Sequence, residues 1–207
     1  MDCKAQISVN CIMSFVKSHF FSLNNVLSRR NFLKLMLCSG LLSYFPKYTF
    51  AVFDEISLKE KSLALFNPRT KESFEGIYYC NGDYVAGALK IINHILRDIR
   101  TGDVKVIDRS LLDLISMISI KLNPKEPFHV ISGYRSAMTN NLLRKRGKGA
   151  AKNSYHLKGQ AVDIRLPGYK TSVLRRAAYE LKSGGVGYYP ISRFVHIDIG
   201  PVRYWKR

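Results

Sequence analysis

Two short segments near the C-terminus restrict this chain more than anything else in it. Phe194-Val195-His196-Ile197-Asp198 alternates apolar and polar side chains with the period of a strand, setting Phe194, His196 and Asp198 on one face and Val195 and Ile197 on the other. With Val195 and Ile197 turned to a core, His196 and Asp198 are expected to open together into a cleft. Ala161 to Leu166 reads as a second strand, and it carries Asp163. The loop before it supplies His156, with Gly159 permitting a close turn and Ala161 leaving room beside Asp163. Seven residues between His156 and Asp163 are too many for one helical face but suit a loop that folds back beside its own strand. Two imidazoles and a carboxylate are enough to hold a zinc ion with one position left open for water. A lone histidine is more often a hydrogen-bonded core or surface residue, so spacing alone leaves both readings open.

The rest of the chain reads as the frame for these segments. Ser62 to Phe66 and Phe74 to Tyr79 form a hairpin around Asn67-Pro68-Arg69. Asn81-Gly82-Asp83 is a turn expected to cap a helix with Val85, Leu89, Ile92, Leu96 and Ile99 at helical spacing. Ser110 to Leu122 is a second, largely apolar helix, closed by Asn123-Pro124. A strand over Phe128 to Gly133, a short basic helix over Thr139 to Arg146 and a helix over Ser172 to Lys182, stopped by Ser183-Gly184-Gly185, complete the helical part. Val186 to Tyr189 and Phe194 to Ile199 pair through a turn near Pro190. Helices first and strands with the polar constellation last indicate a single α+β domain with a mostly antiparallel sheet packed by helices.

The 207 residues carry a formal net charge of +18. Residues 1–51 hold six of the 33 basic and one of the 15 acidic residues, so the remainder, with 27 against 14, keeps a net +13. A charge of this size calls for an anionic neighbour; nucleic acid, acidic headgroups and an anionic cell-wall polymer all satisfy it. No apolar run reaches the roughly 18 residues that argue for a membrane-crossing helix, so no stable membrane span is expected in the mature protein. Cys3, Cys11 and Cys38 fall in the first segment, leaving Cys80 alone without an internal disulfide partner.

Residues 1–51 read as an export segment rather than as part of the fold. Ser28-Arg29-Arg30-Asn31-Phe32-Leu33-Lys34 fills every position of a twin-arginine pattern, followed by a short apolar stretch from Leu35 to Phe45 and then Pro46. The competing reading is a general secretory signal with two adjacent arginines. A folded domain is expected over 52–207.

Ser154-x-His156-x-x-Gly159-x-Ala161-x-Asp163 matches each fixed position of the motif of the D-Ala-D-Ala metallopeptidase and Hedgehog superfamily. Within it, the chain resembles the murein endopeptidase K (YcbK-like) branch. Ile131 to Ser136, Lys152 to Asp163, Gly184 to Pro190, Phe194 to Asp198 and the ending Gly200 to Trp205 all look like that branch. The similarity runs from about Ser62 to the C-terminus and includes a twin-arginine leader. The resemblance implies a Hedgehog/D-Ala-D-Ala peptidase-like fold with His156, Asp163 and His196 as zinc ligands. It also implies that Arg135 neutralises the oxyanion, a role suited to an always-charged planar donor fork, and that Ser154 positions the substrate or an adjacent ligand. One position departs from the pattern: many relatives place a glutamate three residues before the last histidine as general base, and here that residue is Arg193. Some group must still take a proton from the attacking water. Asp198 is the candidate, with orientation of His196 as its competing role. His129 and Glu180 match no motif and are expected to be structural.

By resemblance, the chain would be a zinc-dependent endopeptidase of peptidoglycan cross-link peptides in the periplasm. The bond would lie between two diaminopimelate residues or between D-alanine and diaminopimelate. Its expected partners are peptidoglycan and, during export, the twin-arginine translocon. The absent glutamate motivates the alternative of a catalytically inactive cell-wall-binding domain. Nucleic-acid binding rests on charge alone and is not expected, since no recognition motif accompanies it.

Overall fold

The computed structural model describes residues 60–147 and 150–207. The export segment read at 1–51, with Arg29 and Arg30, lies outside the described residues. Strand β1 (Glu60–Phe66) pairs antiparallel with β2 (Ser73–Cys80), from Glu60 opposite Cys80 to Phe66 opposite Ser73. Asn67 closes the turn from a fully buried position. Its Oδ1 accepts from the backbone N–H of Arg69 at 3.1 Å, and its Nδ2 donates to the Ile95 carbonyl at 3.2 Å. The hairpin is therefore tied to the first helix by the same residue that reverses the chain.

Asn81-Gly82 does not cap a helix, contrary to the sequence-based expectation. It turns the chain into a two-residue strand, β3 (Asp83–Tyr84), which pairs back on β2. Helix α1 (Ala86–Ile95) then starts from Val85, which provides no side-chain cap. It stops short of Ile99 because Leu96 faces the core and gives its carbonyl to the Tyr134 N–H at 2.7 Å. Helix α2 (Arg109–Leu122) follows its sequence signals closely. Asp108 caps it by accepting from Ser110 N, and Asn123 ends it in the left-handed region at φ 43°. Leu111, Leu112, Leu114, Ile115 and Ile118 bury one helical stripe.

Strand β4 (Phe128–Ser132) leads to α3 (Ala137–Lys145), capped by the Ser136 hydroxyl accepting from Thr139 N at 3.2 Å. A 3-10 turn at Tyr155–Lys158 precedes β5 (Ala161–Arg165), and α4 (Thr171–Glu180) precedes the hairpin of β6 (Gly185–Tyr189) and β7 (Phe194–Asp198). A last strand, β8 (Arg203–Lys206), which sequence reading missed, lies parallel to β6. The eight described strands form one sheet in the order β3-β2-β1-β4-β5-β7-β6-β8. The β1–β4 and β6–β8 pairs are parallel and the others antiparallel, so the fold is α+β as expected.

Helix α1 packs on β1 and β2, α2 on β1 and α4, and α4 on β6 and β7. Val162, Ile164, Val195 and Ile197 join the helices' buried residues in one core. Because side chains alternate along a strand, Asp163 and His196 project from the opposite face of β5 and β7. No described helix is long and apolar enough to cross a membrane.

Candidate metal centre

Strand register brings the predicted residues together. Asp163 on β5 lies directly opposite His196 on β7. His156 reaches them from the 3-10 turn, whose exit is set by Gly159 at φ 70°. A Cβ there would meet the Val106 carbonyl oxygen at 2.8 Å, while the Gly159 carbonyl accepts from Asp108 N at 3.0 Å. Only glycine satisfies both the dihedral and the close approach.

His156 Nε2 is 3.1 Å from His196 Nδ1 and 3.3 Å from Asp163 Oδ1, and His196 Nδ1 is 2.9 Å from that same oxygen. All three residues are buried. The outward nitrogen of each imidazole is occupied. His156 Nδ1 donates to the Gly133 carbonyl at 2.7 Å, and His196 Nε2 donates to Asp198 Oδ2 at 2.8 Å. A carbonyl can only accept, so His156 must carry its hydrogen on Nδ1 and present a lone pair at Nε2. The same logic turns the His196 Nδ1 lone pair inward. Two lone pairs and a carboxylate oxygen thus face one point.

That donor set fits a metal ion. Tetrahedral bonds of roughly 2.0–2.1 Å place ligand atoms roughly 3.3 Å apart, close to the observed separations. Burial pushes the His156 imidazole down, and the Arg135 guanidinium adds to this against the pull of Asp163. Burial opposes the charge of Asp163 as well, yet His156, His196 and Arg135 hold its carboxyl well below the usual range. A neutral imidazole and an ionised carboxylate are the protonation states that a metal needs. His196 differs: burial disfavours its charge, but the carboxylates of Asp163 and Asp198 on its two nitrogens raise it. A proton and a cation therefore compete for the same inward position.

Arg135 lies beside the cluster, paired through Nη2 with Asp163 Oδ2 and through Nε with Ser132 Oγ at 2.8 Å. Its backbone N–H donates to the His156 carbonyl at 3.2 Å, locking the arginine loop to the ligand turn. Both Arg135 and Ser154 line a cleft of about 640 Å³ that opens on the three ligand candidates.

Asp198 does not share that cleft, and here the expectation that it opens beside His196 is corrected. It is fully buried, and its oxygens accept from His196 Nε2, Gly185 N, Gly200 N and the Arg203 guanidinium. Strand β8 causes this by carrying Arg203 against the carboxylate. Burial raises the Asp198 carboxyl, but the bonds from His196 and Arg203 outweigh it and hold it at about 2.

Tyr189 and Trp205, to which no motif assigns a role, also line the cleft. The Trp205 ring lies 5.2 Å from that of His196, and its Nε1 donates to the Tyr189 hydroxyl at 3.1 Å. Their presence in the family-like segments was the available signal. His129 lies with its ring tilted against that of Phe66, 5.0 Å between centroids, and Glu180 pairs with Lys121 at 2.7 Å, both away from the cleft. Arg193 occupies the β6–β7 turn, exposed, at φ 56°.

The comparison that decides the family is the match of residues 55–205 to the model described as peptidoglycan L,D-endopeptidase MepK. The chain belongs to the MepK family. The MepK protein of Escherichia coli K12 is 44% identical over 147 residues, covering 71% of this chain and 81% of that protein. A probable MepK of Haemophilus influenzae is 40% identical over 149 residues, covering 72% and 80%. The crystal structure of Serratia marcescens L-Ala D-Glu endopeptidase ChiX overlaps 36% of this chain and 63% of its own, at 24% identity and a TM-score of 0.28. All five of the family-like segments, from Ile131 to Trp205, lie inside the MepK match.

Proposed function

We propose that this chain is a zinc metallopeptidase that hydrolyses peptide cross-links of peptidoglycan outside the cytoplasmic membrane, in the periplasm, after export by the twin-arginine pathway. The observation that carries the reading is the convergence of His156 Nε2, His196 Nδ1 and Asp163 Oδ1, with the far nitrogen of each imidazole already held. Family membership supplies the substrate class. Imidazole and carboxylate ligands in a three-residue site suit zinc. When bound, zinc supplies Lewis acidity, polarising a carbonyl and lowering the pKa of water to roughly 7.

The chain's own residues divide the remaining work. Arg135 presents a permanent charge at the cleft wall, where it can meet the negative charge that grows on a carbonyl oxygen under attack. Ser154, which lines the cleft just before the ligand turn, positions the peptide. Of the two roles open to Asp198, the buried bond to His196 Nε2 favours orientation of the ligand over proton uptake from the cleft.

The test is mass spectrometry of purified sacculi digested with the protein, with and without chelator. Cross-linked dimers should fall to monomers only in the chelator-free sample. Zinc bound without any loss of dimers would instead favour the inactive cell-wall-binding alternative.

A further inference from the structure

A second cleft, of about 390 Å³, adjoins the first and shares Arg135, Asp163, Tyr189 and Phe194 with it. Five arginines line it: Arg69, Arg97, Arg100, Arg135 and Arg146. They face two lining carboxylates, and both of those are committed. Asp98 is buried and accepts from the N–H groups of Ser136 and Arg100, while Asp163 belongs to the ligand cluster. Arg97 is also committed, to Glu72 at 2.6 and 3.1 Å. Among the described residues, the guanidinium groups of Arg69, Arg100 and Arg146 have no hydrogen bond or ion pair. They come from three separate segments, the β1–β2 turn, the chain after α1 and the end of α3, so the tertiary fold has gathered them.

Like charges are not brought together around a concavity without a cost in repulsion, which a bound anion removes. A guanidinium recognises a carboxylate by a planar, bidentate fit. We propose that this second cleft is a carboxylate-binding subsite, in which Arg69, Arg100 and Arg146 hold the free carboxylates of one of the two peptide strands joined by a cross-link. The inference rests on the peptidase reading above, because that reading supplies a peptide rich in free carboxylates: the γ-linked glutamate and the diaminopimelate of each strand keep theirs. The shared wall at Arg135 and Asp163 puts one strand in the arginine cleft while the bond to be cut lies at the metal centre. A generic polyanion site would instead be expected as an open basic face.

The experiment measures binding, not turnover. The metal-loaded full chain is titrated with the monomeric stem tripeptide L-alanyl-γ-D-glutamyl-diaminopimelate, a probe without a cross-link to cut, and with the same tripeptide amidated at its carboxylates. The variant is R69Q/R100Q/R146Q, whose exposed positions keep the fold, checked by circular dichroism, with each single variant alongside. The triple change should raise the dissociation constant for the free tripeptide roughly tenfold or more. Amidation should weaken binding to the natural chain by a similar factor, and the triple variant should hardly distinguish the two probes. Unchanged affinity in the triple variant overturns the proposal, and so does an equal loss for the amidated probe. Binding of dextran sulfate that depends on the same arginines and is not displaced by the tripeptide assigns the cleft to a general polyanion and also overturns it. Since no step requires hydrolysis, failure of the peptidase reading in the sacculus digest is separable from failure here.

Discussion

At the scale of single residues, the candidate centre depends on what lies behind each ligand. Asp198 is the clearest case. Its carboxylate holds His196 from the side away from the cluster and is itself held by Arg203. Asp198→Asn keeps the size but weakens the bond to His196 Nε2, so zinc affinity should fall roughly 10–100-fold, read by competition with a chelating dye. Zinc affinity at the natural level, with cleavage slowed a hundredfold, would return Asp198 to the general-base role. The substitution also has a pH signature. A carboxyl lowered on folding, from 3.8 to about 2, contributes stability that is full above 3.8 and lost as pH falls through about 2. Asp198→Asn should therefore remove about 2 kcal/mol of stability at neutral pH and flatten the acid limb between pH 4 and 2 in denaturant titrations.

At the scale of elements, the 3-10 turn is the part with the least freedom. It delivers His156 from a loop, and its exit needs a left-handed residue pressed against the Val106 carbonyl. Gly159→Ala combines the cost of a positive φ with a backbone collision, and should destabilise the protein by about 2 kcal/mol or more. Thermal melts should show this as a lowered Tm, together with weakened zinc binding because His156 moves with the turn. An equivalent change at Gly168, which is also at positive φ but has open space around it, should cost less. If both variants melt alike, the packing of Gly159 on Val106 contributes nothing beyond its dihedral.

At the scale of the described domain, α1, α2 and α4 pack into the core on one face of the sheet, and Asp163 and His196 project from the other. The net charge of +18 belongs mostly to the domain rather than to the segment before it, and part of it gathers in the clefts beside the metal centre. The proposed twin-arginine export would move the domain already folded, and it makes the arginine pair testable. Replacing both Arg29 and Arg30 by lysine keeps the charge while changing the recognised side chains. Periplasmic accumulation, followed by fractionation, should drop sharply. Accumulation at the natural level would place the chain on the general secretory route instead.

Alternation along β7 was legible in the residues, because a period of two needs no knowledge of neighbours; it put His196 and Asp198 on a common face, whereas the pairing of β5 with β7 brought Asp163 opposite His196. Helix α2 was equally legible, since Asp108, the apolar stripe and Asn123 are local signals. The family-like motif then marked His156 and Arg135. The fate of Asp198 was not readable in this way. Alternation places it correctly on the face of His196, but whether it opens to a cleft depends on Arg203, which arrives on a parallel strand that carries little periodic signal in its four residues. The turn at Asn81-Gly82 was misread for the same kind of reason: pairing of Tyr84 with Tyr79 on β2 outweighed a local capping preference. Local sequence determined which side chains share a strand face, because chain geometry alone dictates that. Only the tertiary structure decided which of them are covered, paired or left open, because those outcomes belong to residues far apart in the chain.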